Sequence, residues 1–281
     1  MIGSSWLKGV LCNPKLIPMK PMNLFFAVLA SLLFFSCKKN DNPVPAPVAE
    51  TKLLKKIYTS ANDFQLFTYN ESKQLVKFTN QYVDDPINNG IIKEESTLTY
   101  EGDKLKRVQH EGGYMLYHYT GNRIDSIQNF TLTNRLMSVD YPEINAQNQL
   151  VSVTTKLPGL FPGLPIALQR LFTYSAAGNL TEMSYSFKRT TNGVYELQER
   201  IVFSGYDNKH NPDQFSYTEH YIPGLIFMKN NPGRVQYYDD NGDISEDISF
   251  TFQFDAAGLV SKKTATTVGS PNPEVSFYEY Y

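Results

Sequence analysis

Phe172-Thr173-Tyr174-Ser175-Ala176-Ala177-Gly178-Asn179-Leu180 is the stretch that decides the fold. Aromatic side chains alternate with a small polar one, a run of small residues with Gly follows, and Leu180, Met183, Tyr185 and Phe187 resume the pattern. That is a strand, a tight reversal and a return strand.

The same phrase recurs on both sides. Phe67-Thr68-Tyr69 passes through residues 70–74 to Leu75, Leu98-Thr99-Tyr100 through Gly102 to Leu105, and Tyr117-His118-Tyr119 through Gly121 to Ile124. Val139-Asp140-Tyr141 is followed by a longer turn before Leu150. Tyr206 leads through residues 207–212 to Phe215, Tyr238 through Asn241-Gly242 to Ile244, and Phe254 through Gly258 to Leu259. Each turn carries Gly, Asn, Asp or Pro, whose backbone preferences suit a reversal. Asn241-Gly242 reads as a type I′ turn with positive φ at both positions. After it, Ile248, Phe250, Phe252 and Phe254 share one face with Ile244, interrupted by Glu246, while Ser249, Thr251 and Gln253 share the other. Such alternation is the habit of an antiparallel sheet with one buried face. No long window beyond the N-terminal region has a helical period; a short helical turn fits only near residues 165–169 or 225–229. The expected fold is all-β: a meander of about sixteen strands forming a strongly curved sheet, or two stacked sheets.

The segments Phe254-Asp255-Ala256-Ala257-Gly258-Leu259 and Tyr238-Asp239-Asp240-Asn241-Gly242-Asp243-Ile244 resemble the YD (RHS-type) repeat. Tyr174 to Leu180 fits with Ser175 in the Asp position, and Tyr206 to Pro212 is similar to a variant in uncharacterised Bacteroidota-type lipoproteins. The resemblance covers most of residues 52–281. It implies a meander of hairpins and no particular activity.

The N-terminal region reads as an address. Leu24 to Phe35 is an apolar run interrupted only by Ser31 and preceded by Lys20, a length that suits a signal-peptide core rather than a membrane span of about 20 residues. Ser36-Cys37 at its end resembles the bacterial lipobox, with Phe34 where Leu is usual. The resemblance implies acylation of Cys37, and Lys38 after it resembles lipoproteins sent to the outer membrane. Met19 or Met22 would give a leader of ordinary length. Residues 38–50 contain three alternating prolines, a stiff tether reaching ~40 Å at about 3.1 Å per residue. The expected organisation is therefore a signal peptide over 1–37, a tether over 38–50 and one β domain over 51–281.

Composition narrows the function. Aromatic residues make up 14% of the 281-residue chain, charged ones 19%, and the net charge is −2. Loss of the leader removes Lys8, Lys15 and Lys20 and no acid, giving about −5. That excludes the basic footprint a nucleic acid needs. Cys12 and Trp6 would leave with the leader, so the mature chain has no disulfide, thiolate cluster or cysteine nucleophile. His110, His118, His210 and His220 lack the close spacing of a zinc site and read as surface or turn residues. Asp239, Asn241 and Asp243 alternate like the start of a calcium loop, but Gly242 comes two places too early and no closing Glu follows. Glu94-Glu95 and Asp84-Asp85 are adjacent, so on a strand they face opposite ways. No nucleophile elbow, phosphate loop or His-Glu-x-x-His occurs. No catalytic residue, metal site or cofactor is assigned.

Two apolar, proline-rich segments break the hairpin pattern: Leu157 to Leu168, with Leu160, Phe161 and Leu164, and Tyr221 to Met228, with Leu225, Ile226 and Phe227. One reading makes them plugs over an open end or edge of the sheet. The other makes them a binding lip for a glycan or an apolar ligand. The expected function is a non-enzymatic, lipid-anchored cell-envelope protein of the outer membrane that binds or scaffolds. An acyl-chain carrier is the alternative, and a glycan hydrolase a third.

Overall fold

A computed structural model describes residues 52–85, 90–158, 166–213 and 220–281. The compact unit is Glu50–Tyr281. The leader, Cys37 and the tether lie outside the described residues. Sixteen strands follow one another. They are β1 (Leu54–Tyr58), β2 (Phe64–Tyr69), β3 (Leu75–Asp85), β4 (Gly90–Glu101), β5 (Lys104–His110), β6 (Gly113–Thr120), β7 (Arg123–Thr131) and β8 (Leu136–Ile144). Then come β9 (Leu150–Lys156), β10 (Ala167–Tyr174), β11 (Leu180–Lys188), β12 (Glu196–Ser204), β13 (Arg234–Tyr238), β14 (Ile244–Phe254), β15 (Val260–Thr267) and β16 (Glu274–Tyr280). No helix occurs among the described residues; Ala167 begins a strand, and Ile222 to Leu225 forms a turn.

Every strand pairs antiparallel with its sequence neighbours, as expected of a meander, but the sheet is neither open nor split. β1 pairs with β16 through Ile57↔Tyr278 and Tyr58↔Phe277, closing a barrel. Tyr281 reinforces the seam, with its N–H donating to Leu53 (3.1 Å) and its hydroxyl to the Phe67 carbonyl (3.0 Å). Closure removes both edges, whose unpaired N–H and C=O groups would otherwise need covering.

The recurring sequence phrase has a physical reason at each position. In the turns at residues 175–179, 239–243 and 255–259 the first residue accepts from the fourth, and the fifth closes onto the first. The fourth is a glycine at positive φ: Gly178 at 83°, Gly242 at 85° and Gly258 at 79°. Asn241 is not at positive φ, so this is a longer loop with a left-handed glycine rather than the expected type I′ turn. The Asp of the phrase caps the turn. Asp239 Oδ1 accepts from the N–H groups of Asn241 (3.0 Å) and Asp243 (2.9 Å), and Asp255 Oδ1 does the same for Ala257 and Leu259. Asp239, the first of the residues that resemble a calcium loop, is thus committed to its own backbone.

The aliphatic residue that opens six of the return strands is buried: Leu75, Leu105, Ile124, Leu150, Leu180 and Val260 are all 5% exposed or less, whereas Ile244, expected on the buried face of β14, is 52% exposed where that strand begins. Each lies at the same end of the barrel, and the tyrosine of the next hairpin reaches over to it. Tyr100 donates to the Leu75 carbonyl (2.9 Å), Tyr119 to Leu105 (3.0 Å), Tyr174 to Leu150 (3.0 Å) and Tyr280 to Val260 (2.9 Å), and Tyr206 donates to Leu180. The ladder between neighbouring hairpins stops short of this end, so the phenol takes a carbonyl the sheet leaves. Burial pushes these tyrosines up from their ordinary value, keeping the donor proton.

Candidate functional site at the plugged end of the barrel

The connection from β12 to β13, residues 205–233, is too long for a turn, and long connections in compact domains usually have work to do. It leaves and re-enters the wall through two touching glycines. Gly233 donates to Ser204 (3.0 Å), and a Cβ on Gly233 would stand 2.6 Å from the Gly205 carbonyl oxygen. Between them residues 206–213 and 220–232 fold into the barrel. Tyr206 to Pro212 therefore begins a plug, not the tight hairpin expected from sequence. Ile222, Leu225, Phe227 and Met228 are buried in the same cluster as the wall residues Phe172, Leu180 and Tyr117.

The plug is held by polar contacts to the wall. Leu180 N–H donates to Phe227 O (2.9 Å), Tyr117 hydroxyl to Tyr221 O (2.9 Å) and Asn148 Nδ2 to Gly224 O (2.9 Å). Asn179 and Asn230 exchange two bonds at 3.0 Å. Deeper in, His220 Nε2 lies 2.7 Å from Asp140 Oδ2 on β8. Asn129 Nδ2 also donates to Asp140 Oδ2 (2.6 Å), and the Thr155 hydroxyl donates to Oδ1. Asp140 is 1% exposed and faces the lumen beside Ile127. Burial pushes its carboxyl up. The hydrogen bonds and charge of His220, with those of Thr155 and Asn129, outweigh burial and hold it below its usual range.

Of the expected lip residues, Leu225 and Phe227 are in the core at 8% and 3% exposure, while Ile226 is 45% exposed. Ile226 borders a small hollow with Lys229 and Gly178. Leu160, Phe161 and Leu164 lie outside the described residues. The ends of their segment close, with Leu157 N–H donating to Ile166 (2.9 Å) beside a hollow of about 590 Å³ on the outer face. His118 points outward and is exposed, and His110 caps its own turn at Gly112. His220, expected at the surface, is in the lumen instead. Asp140 and His220 are 80 residues apart in sequence. The sequence carries no signal for Asp140: the phrase Val139-Asp140-Tyr141 puts it opposite the apolar side chains, whereas the structure turns Asp140 inward and Tyr141 outward.

The other departure is at the fourth hairpin. The turn expected after Tyr141 comes later, at Asn145–Gln149, so Tyr141 faces outward, 37% exposed. Ile144 holds the position that tyrosine holds in the neighbouring hairpins: Ile144↔Leu150 matches Tyr119↔Ile124 and Tyr174↔Leu180, each after a bulge. A basin of about 910 Å³ opens there, with Tyr119, Ile124, Ile144, Ile222 and Pro223 as its less polar lining and with both acids, Glu101 and Asp103, and cations, Lys104, Lys106 and Arg123, around it.

The outer wall carries many charged side chains, alongside exposed apolar ones such as Met137, Leu171, Leu197 and Phe277. Glu95 sits between Lys93 (2.8 Å) and Lys77 (3.0 Å), Arg234 Nε donates to Asp247 (2.8 Å), and Arg200 meets Glu182 at 3.6 Å. All face away from the lumen, since their partners in register alternate with the buried set.

No protein-family model matches the chain, and no curated protein matches it. Solved structures do. A porin-like protein from Bacteroides uniformis superposes with a TM-score of 0.54 at 13% identity, over 83% of this chain and 98% of that one. A porin-like protein from Bacteroides vulgatus gives 0.54 at 8% identity, over 82% and 99%. What this chain has in common with them is the barrel fold.

Proposed function

We propose that the chain is a non-enzymatic, lipid-anchored protein of the outer membrane whose plugged barrel stands in water and serves as a binding or scaffolding module. The observation that carries this reading is the sidedness of the wall. A barrel that crosses a bilayer turns an apolar band to lipid and a polar face to the lumen, and a Lys or Arg at mid-depth on the outside disfavours insertion by about 2–4 kcal/mol. Here Lys77, Lys93, Arg200 and Arg234 are outside and the leucines are inside. Strands β1 and β13 have 5 residues each, against the roughly 9–11 needed to span. The porin-like likeness favours an outer-membrane setting, and the charged wall leaves attachment to the acyl group at Cys37.

The plug argues against two rivals. It fills the end of the lumen that a pore would need open, and Phe227 and Met228 occupy core volume that an acyl-chain carrier would need.

Membrane fractionation tests the reading. The native chain is expected in the membrane pellet and Cys37→Ala in the soluble fraction or as unprocessed precursor, since two or more acyl chains hold essentially permanently at about 0.8 kcal/mol per buried CH₂. A processed Cys37→Ala protein that stays in the membrane, or that conducts ions across a planar bilayer, sinks it.

A further inference from the structure

We infer that the basin beside Ile144 binds a phenol, a ring bearing one hydroxyl, presented by a small phenolic acid or by an exposed tyrosine side chain. The inference rests on the reading of the barrel as a binding module and gives that module its site.

Three observations meet at one place. The first is the tyrosine series. Five phenols cross to the carbonyl that opens the preceding return strand. Ile144 stands where the phenol for the Ile124 carbonyl would stand, and it has neither ring nor hydroxyl. Phe254, at the corresponding place in another hairpin, lacks the hydroxyl but keeps the ring.

The second is the wall itself. Where a tyrosine is present, the inter-hairpin ladder begins two residues after the return residue, at Lys77↔Thr97, Arg107↔Leu116, Ser152↔Leu171 and Glu182↔Val202. Between β7 and β8 it begins three residues after Ile124, at Ile127↔Asp140. Pro142, which has no N–H to offer, stands in the stretch beyond. The third is the basin of about 910 Å³, which has both Ile124 and Ile144 in its lining.

The lining suits such a ligand. Ile124, Ile144 and Ile222 offer an apolar surface for the ring, and the Ile124 carbonyl is the acceptor the series would use. Lys104 donates to Gly121 O (2.6 Å) and Lys106 pairs with Glu101 (3.1 Å). Arg123 is exposed and has no ion-pair partner among the described residues, so it would meet a carboxylate on the ring's substituent.

The test uses the purified full chain and ligand-observed NMR with 4-hydroxyphenylacetate, N-acetyltyrosinamide, phenylacetate and neutral hexoses. Expected is roughly 2- to 10-fold tighter binding of 4-hydroxyphenylacetate than of phenylacetate, the ratio that one net hydrogen bond supplies. The methyl resonances of Ile124 and Ile144 should move on its addition. Ile144→Tyr should abolish binding and raise the melting midpoint above that of Ile144→Phe. Arg123→Ala should weaken the acid several-fold and leave N-acetyltyrosinamide unchanged. Preference for the acid over the amide assigns a free phenolic acid, and the reverse assigns a tyrosine-bearing peptide. Equal binding of phenylacetate, silence of both phenols, binding of hexoses alone, or full binding by a folded Ile144→Tyr overturns the inference. None of these readouts depends on membrane attachment, so failure here is distinct from failure of the lipoprotein reading.

Discussion

His220 Nε2 lies 2.7 Å from Asp140 Oδ2, tying the plug to the inner wall of β8 across a barrel whose other contacts to the plug are mostly apolar or through backbone. The carboxyl is almost fully buried, so its partners decide whether it stays charged. Its folded value is below the ordinary one, so the stabilisation is present above the usual carboxylate range near 4. It is lost as pH falls through the lowered value. Asp140→Asn should reduce stability at neutral pH by roughly 1–3 kcal/mol and flatten the acid limb of the pH–stability curve. Urea titrations of both proteins from pH 7 to pH 3 measure this, and parallel acid limbs would contradict it.

The plug's side chains make a graded prediction. Phe227 is 3% exposed and packs on Phe172 with ring centroids 5.7 Å apart. Phe227→Ala should destabilise by roughly 3–5 kcal/mol and Leu225→Ala by roughly 2–5. Ile226→Ala, at a 45% exposed side chain, should stay within about 0.5 kcal/mol. Denaturant midpoints for the three variants decide it.

Tyr174→Phe keeps the ring and removes the donor to Leu150. A loss of about 0.5–1.5 kcal/mol is expected. Tyr141→Phe is the control, since that outward side chain has no part in the series, and it should leave the melting midpoint unchanged.

Gly233→Ala tests the neck of the plug. The added methyl would meet the Gly205 carbonyl oxygen at 2.6 Å, backbone against backbone, with no side chain to give way. Faster exchange of the Leu180 amide, which donates to Phe227, is expected together with a lower melting midpoint. Unchanged protection of that amide would show that the neck does not hold the plug.

Local chemistry wrote the hairpins. Alternation in Ile248 to Phe254, small turn residues and left-handed glycines such as Gly178 and Gly258 act over a few residues, so strands, turns and their number were legible in the sequence. Where a local signal was weak the reading slipped: Tyr141 looked like a turn tyrosine, whereas the reversal belongs to Ile144 and Asn145. Four things were decided only by the tertiary structure, because they join residues far apart in the chain. Leu54–Tyr58 meets Glu274–Tyr280 only once accumulated twist and tilt bring the first strand to the last. Ile222, Leu225, Phe227 and Met228 become a plug only because a barrel this wide leaves an apolar lumen to fill. His220 finds Asp140, and the basin opens between Ile124 and Ile144, because closure turns neighbouring hairpins into the walls of one interior.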